Sequence, residues 1–426
     1  MTPTLLRAVS RWQIVGLSIN DVVGSGIYLL PAAAAALLGP ASVWAILLAG
    51  FAVALIVLCY AQASSYFDQP GGAYLYTREA FGSFVGFEVG WMTWLTRVAT
   101  AAALANALAL AIAALWPAAA AGWPRMAIVT GCLALLTWLN LIGVRSGALT
   151  GVVLVIGKML PLALFAALGI AFVDWSQVAA AGAAPPRDAL AEGALLLLFA
   201  YAGFENTPAA AGEYKNPQRD VPFALLTMIA VVTLTYVVIQ VVALGTLPGI
   251  AQSKSPLAEA AQAFAGPGAA LVMTVGAALS ILGTNNNTIL FGARYAYAMS
   301  ADGFGPAAFA RVHPRYRTPA VALLVQAAIA LPLALSGSFV QLALLSVISR
   351  LFAYVGTAAA VLALRPRFAS RPGTLRLPGR ATIPVSALLV SLVLLSSAGW
   401  QNLAAAAVAL AVGAVIFAFR RQGVPA

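Results

Sequence analysis

Apolar residues run through this chain in blocks of roughly twenty, each long enough to cross a hydrocarbon layer of about 30 Å as a helix. Twelve such blocks are legible, approximately Trp12–Leu38, Ser42–Tyr66, Phe84–Trp116, Arg125–Val144, Leu149–Val173, Leu190–Gly212, Val221–Leu247, Pro267–Met299, Ala320–Leu335, Phe339–Leu364, Ile383–Gly399 and Trp400–Phe419. They predict an all-α membrane protein of about 12 transmembrane helices, because a helix satisfies its own backbone polar groups where no water can. The connections are short and rich in Pro and Gly, as in "DQPGGAY" from Asp68 to Tyr74, so residues 1–426 read as a single transmembrane domain.

Polar positions inside the blocks carry more information than the blocks themselves. The first block places Asn20 and Asp21 just before Gly24-Ser25-Gly26, and the sixth, "FAYAGFENTPAAAGE" from Phe199 to Glu213, places Gly203 ahead of Glu205 and Pro208. Neither stretch suits a helix interior. The two interruptions take matching places if residues 12–175 and 190–364 are five-helix halves, with two extra helices at 383–419. An odd number of spans turns the second half upside down, which predicts an inverted repeat with broken helices 1 and 6 and a binding site where the breaks meet.

Broken backbone at that depth is tolerated only where it lines a cavity or holds a ligand. The N–H groups at Gly24, Ser25 and Gly26 would start a half-helix whose positive end attracts a carboxylate, while the end of the first half-helix and carbonyls near Phe199, Ala200 and Ala202 would attract an ammonium. Together these demands describe a zwitterion. The competing reading is that Gly24 and Gly26 only let helices pack closely.

Composition strengthens the membrane reading: 62% of residues are hydrophobic and 8% charged. The net charge of +11 does not point to nucleic acid, because its placement follows the membrane. With both termini in the cytoplasm, sixteen Lys and Arg fall on inner segments and three, Arg125, Arg187 and Lys254, on outer ones. This is the positive-inside bias, and it predicts a multi-pass protein of the cytoplasmic membrane. Cys59 and Cys132 lie in apolar blocks and the only histidine, His313, lies in a loop, so no metal site, cofactor or Ser/His/Asp enzyme is expected. A pore-type channel is disfavoured because two interrupted helices imply a binding step.

Three motifs in order carry a family resemblance: "VVGSGIYLLP", "FAYAGFENTPAAAGEYKNPQRDVP" from Phe199 to Pro222, and "GARYAYAMSADGFGPAAFARVHPRYRTP" from Gly292 to Pro319. The chain resembles the amino acid–polyamine–organocation (APC) superfamily along its whole length. The resemblance implies a LeuT-type fold that works by alternating access. It also implies that Ser25 and Gly26 bind a substrate carboxylate, that carbonyls around Val22, Phe199 and Ala202 hold its amine, and that Phe199 and Phe204 act as gates.

Ionisable groups inside a bilayer cost at least about 2.5–3.5 kcal/mol each, which makes every one a functional candidate. Lys158 lies about nine residues inside its block. By the resemblance it takes the place of a bound sodium ion, against carbonyls near Asp21 and Val22 and a hydroxyl of Ser280 or Thr284, either exchanging a proton or acting as a fixed charge; the alternative is snorkelling. Glu205 reads as a proton carrier or as a partner for unwound backbone. Asp21 departs from the family pattern and could pair with Lys158, titrate or attract a cationic group. One of Asn285, Asn286 and Asn287 should face the cavity and another should join helices. Arg97 is expected to pair with Glu88 or Glu205, whereas Arg294 and Arg350 are expected to snorkel or brace the inner gate.

The predicted function is sodium-independent secondary transport of a small, neutral amino acid, by proton symport or exchange. The alternative is transport of a polyamine or other organic cation, which would require Asp21 and Glu205 both to face the cavity.

Overall fold

In the computed structural model, the structure is described for residues 5–24, 26–113, 116–179, 189, 193, 196–198, 200–336, 339–368, 370–396 and 400–418. Ser25 and Phe199 lie outside the described residues. The helices are α1 (Arg11–Val22), α2 (Gly26–Leu38), α3 (Ser42–Ser64), α4 (Ala73–Phe81), α5 (Ser83–Ala113), α6 (Gly122–Leu141), α7 (Val144–Gly169), α8 (Trp175–Ala179), α9 (Pro217–Thr246), α10 (Pro256–Ala265), α11 (Pro267–Ala301), α12 (Ala320–Ser336), α13 (Phe339–Phe368), α14 (Thr382–Ser396) and α15 (Trp400–Ala418). Among the described residues there is no β-strand, and an isolated bridge joins Val9 to Tyr214. Six helical stretches of the described residues are long and apolar enough to cross a membrane, and three shorter apolar helices accompany them. Trp44, Phe51, Leu160 and Leu389 are exposed on the outside of the bundle. Such a surface would be a liability in water and is suited to lipid.

The first apolar block is two helices. α1 ends where the Val23 N–H donates to Ile19 O at 2.9 Å and the Gly24 N–H donates to Val22 O at 2.8 Å, and α2 restarts at Gly26. The sixth block is interrupted at Gly203, whose φ of 132° favours glycine. A side chain there would strike the carbonyl of Asp21 and the nitrogen of Val22, so the two breaks lie against each other. Beyond Gly203 the block runs as a 3-10 helix from Phe204 to Glu213 rather than an α-helix, with Pro208 removing a backbone donor and Ala210 leaving helical geometry.

Three helices occupy stretches that the hydrophobic pattern left as connections. α4 follows Gly72, which has φ 51°, and buries Tyr74, Leu75 and Tyr76; α10 starts at Pro256 and buries Leu257, Ala260 and Ala261; α8 is one turn. Both longer helices are amphipathic, a pattern that a search for twenty-residue apolar runs misses. The long helices α5 and α11 pack against each other, and α11 also touches α1, α6, α7 and the 3-10 segment. That contact set puts the middle of α11 beside both breaks. Cys59 and Cys132 are buried and unbridged.

Candidate functional site

The end of α1 leaves carbonyls without helical partners, and two neighbouring helices answer them. From α7, the Lys158 amine donates to Asn20 O at 2.8 Å, to Val23 O, and to Thr284 Oγ1 at 3.5 Å. From α11, the Thr284 hydroxyl donates to Asn20 O at 3.1 Å, and Ser280 Oγ lies 3.1 Å from Val23 O and 2.8 Å from Gly24 O. Lys158 is fully buried, and among the described residues its amine has no carboxylate within ion-pair distance. Its positive charge therefore rests on neutral oxygens, an environment suited to a cation with no fixed counter-ion. The amine stays in the protein interior and does not snorkel. Of the alternatives open for Asp21, pairing with Lys158 does not occur.

Asp21 turns toward the other break. Its Oδ2 accepts from Asn206 Nδ2 at 2.7 Å and lies 3.9 Å from Arg97 of α5. Glu205 Oε2 accepts the Gly203 N–H at 2.8 Å and the Tyr354 hydroxyl at 3.0 Å, so the carboxylate satisfies a donor freed by the interruption. Its Oε1 lies 2.7 Å from Arg350 and 3.7 Å from Arg97. Asp21, Arg97, Glu205 and Arg350 are all buried. Two acids and two arginines thus form one cluster without net formal charge.

Arg350 corrects the sequence reading: it neither snorkels nor reaches solvent, because Glu205 offers a charge that a lone arginine in hydrocarbon would lack. Arg294 also stays buried, bound through two hydrogen bonds of 2.9 and 3.0 Å to Glu213. Glu88, offered as a partner for Arg97, has neither oxygen hydrogen-bonded.

Gly24 and Gly26 differ in their surroundings. A methyl group at Gly24 would meet Thr284 Oγ1 at 3.3 Å, whereas one at Gly26 would find no atom within 4 Å. α2 therefore has open space beside Gly26. Val22 O and Ala200 O, expected to be free for an amine, both lie within reach of the Tyr236 hydroxyl, at 3.2 and 2.9 Å. Ala200 is buried and Ala202 partly so. Phe204 is buried between Tyr60, edge-on at 5.5 Å, and Tyr354, stacked at 5.2 Å.

The three asparagines of α11 join helices. Asn285 Nδ2 donates to Ala101 O at 3.3 Å and lies 3.7 Å from Cys132 Sγ, Asn286 Oδ1 accepts from Asn140 at 2.9 Å, and Asn287 Nδ2 donates to Leu17 O at 2.7 Å. Successive residues on a helix point about 100° apart, which is how three neighbours reach three different partners.

A family model described as amino acid permease matches residues 9–419. The chain belongs to the amino acid permease family. The permease is 28% identical to the branched-chain amino acid permease BcaP of Bacillus subtilis (strain 168), over 97% of this chain and 93% of that protein. It is 29% identical to the serine/threonine exchanger SteT of the same organism, over 89% of this chain and 88% of that protein. It is also 28% identical to the methylthioribose transporter of that organism, over 90% and 86% of the two chains. The permease is a transporter rather than an enzyme, and a multi-pass membrane protein.

Sequence reasoning passed over Tyr236, Asn206 and Tyr354. Tyr236 is a buried hydroxyl in a long apolar helix, and such a group requires a partner. That requirement was a usable signal. Tyr354 lies four residues beyond Arg350, on the same helix face.

Proposed function

We propose that this permease is a sodium-independent secondary transporter of small neutral amino acids, working by proton symport or by exchange. The observation that carries this reading is the Lys158 amine against the carbonyls of Asn20 and Val23 and the hydroxyl of Thr284. A tethered ammonium there serves the end of α1 as a free cation would, so no sodium ion is needed. The open start of α2 at Gly26 takes the substrate carboxylate, helped by the nearby positive charge, with Ser25 contributing its backbone N–H. The ammonium binds at the interrupted backbone around Val22, Phe199, Ala200 and Ala202, where Tyr236 supplies a further oxygen, and Phe199 and Phe204 close the site.

In this reading residues 12–175 and 190–364 form inverted halves, 383–419 are accessory helices, and both termini face the cytoplasm. The amino acids in the names of two relatives agree with a site built around a zwitterion, whereas the methylthioribose named for the third is a neutral sugar. A polyamine fits poorly, because each acid near the path already faces an arginine.

The test is uptake of labelled amino acids and polyamines into proteoliposomes, with proton gradient, sodium gradient and internal amino acid varied separately. Uptake of a small neutral amino acid without sodium, driven by protons or internal substrate and lost in Lys158→Ala, is the expected result. A strict sodium requirement would overturn the role of Lys158, and entry of polyamines alone would overturn the substrate class.

A further inference from the structure

The cluster at the two breaks is balanced in charge but incomplete in hydrogen bonds. Among the described residues, Asp21 Oδ1 and Asn206 Oδ1 are buried acceptors without a donor, and Arg97 Nε and Nη2 are buried donors without an acceptor. Arg97 approaches the two carboxylates only at 3.9 and 3.7 Å, beyond hydrogen-bond reach. Native interiors leave few polar atoms in this condition, yet here four fall on three neighbouring residues, Asn206 bonded to Asp21 and Arg97 3.9 Å from it. These residues adjoin the interrupted backbone, since Gly203 abuts Asp21 and Val22 and the Asn206 amide donates to Gly203 O at 2.8 Å.

We infer that Asp21, Arg97 and Asn206 recognise the substrate's side chain, and that this side chain is neutral and both donates and accepts a hydrogen bond: a hydroxyl or a carboxamide. The inference rests on the proposed zwitterion site and names the class of substrate it takes. A hydroxyl donates its hydrogen to Asp21 Oδ1 or Asn206 Oδ1 and accepts from Arg97, completing both kinds of vacant valence at once. An aliphatic side chain completes none of them. A charged side chain would upset a cluster whose two acids are already opposed by Arg97 and Arg350, leaving one charge buried without compensation.

Threonine and valine are the decisive probes, because they differ by a hydroxyl in place of a methyl group at nearly equal volume. In proteoliposomes of the full chain, threonine is expected to be taken up at least about 10-fold more efficiently than valine, the ratio set by unpaired polar groups in a closed site. The double variant Asp21→Leu with Arg97→Met removes one charge of each sign, keeping the cluster neutral. It is expected to bring that ratio toward one, with threonine uptake falling further than valine uptake. Equal uptake of the two by the unaltered protein, or a preference for valine, would overturn the inference while leaving amino acid transport intact. If the double variant elutes as folded protein and keeps the threonine preference, the recognition lies on other residues and the assignment is wrong. Failure of every amino acid to enter would instead overturn the proposed function. Should the double variant not fold, the same comparison with Asn206→Leu decides the assignment by the same ratio.

Discussion

Two buried arginines, Arg294 and Arg97, meet carboxylates in this permease in different ways. Arg294 spends three nitrogens on acceptors, two on Glu213 and one on Leu290 O at 3.0 Å, and Glu213 uses its backbone carbonyl to hold the N–H groups of Ala8 and Val9. Arg97 stands apart from Asp21 and Glu205 and leaves two nitrogens unpaired. Both sites are buried and formally balanced. The difference lies in saturation: every side-chain nitrogen of Arg294 has an acceptor, whereas two of Arg97 have none. Burial of charge alone thus does not distinguish the two clusters, whereas their unmet hydrogen bonds do.

The strongest way to break the comparison is Glu213→Ala, which leaves Arg294 charged and alone. Thermal unfolding in detergent should show a loss of about 3–5 kcal/mol, whereas Glu213→Leu with Arg294→Met, removing both charges, should recover most of it. Recovery would identify the pair as structural. Next comes Gly203→Ala, which forces a side chain into a positive φ and against the Asp21 carbonyl. A loss of about 1–3 kcal/mol is expected, together with weakened uptake, because the acids of the unsaturated cluster are held by that crossing. Tyr236→Phe removes one hydroxyl shared by Val22 O and Ala200 O, and about 1 kcal/mol of stability should go with it. The smallest stability effect belongs to Gly26→Ala, within about 0.5 kcal/mol, since the added methyl group meets nothing. Its KM for amino acid should nevertheless rise, and an unchanged KM would remove the start of α2 from the site.

The interruptions at Gly24–Gly26 and Gly203 were readable because glycine and buried polar residues in a twenty-residue apolar run contradict their surroundings. Lys158 was readable from its depth in its block. Its partners were also within reach of analogy, although the pairing of Asp21 with Asn206 rather than Lys158 depended on how the two breaks cross, which no local pattern encodes. Snorkelling was the wrong alternative for Arg350 and Arg294 for a related reason. Distance from the end of a block suggests snorkelling, but whether an arginine stays inside depends on a carboxylate far away in sequence, Glu205 for one and Glu213 for the other. The amphipathic helices α4 and α10 escaped a search tuned to uniform hydrophobicity. Of the asparagine run, one member was expected in the cavity and another as polar glue, and that all three join helices required the packed structure.

Cys59 and Cys132 are the only two cysteines in the chain, and both are buried. A thiol-reactive dye or spin label would therefore leave the native protein almost unmarked. Any cysteine introduced at an exposed position would become the sole reporter, so pairs of labels across the two breaks could follow distances during turnover without first stripping the chain of its own sulfur.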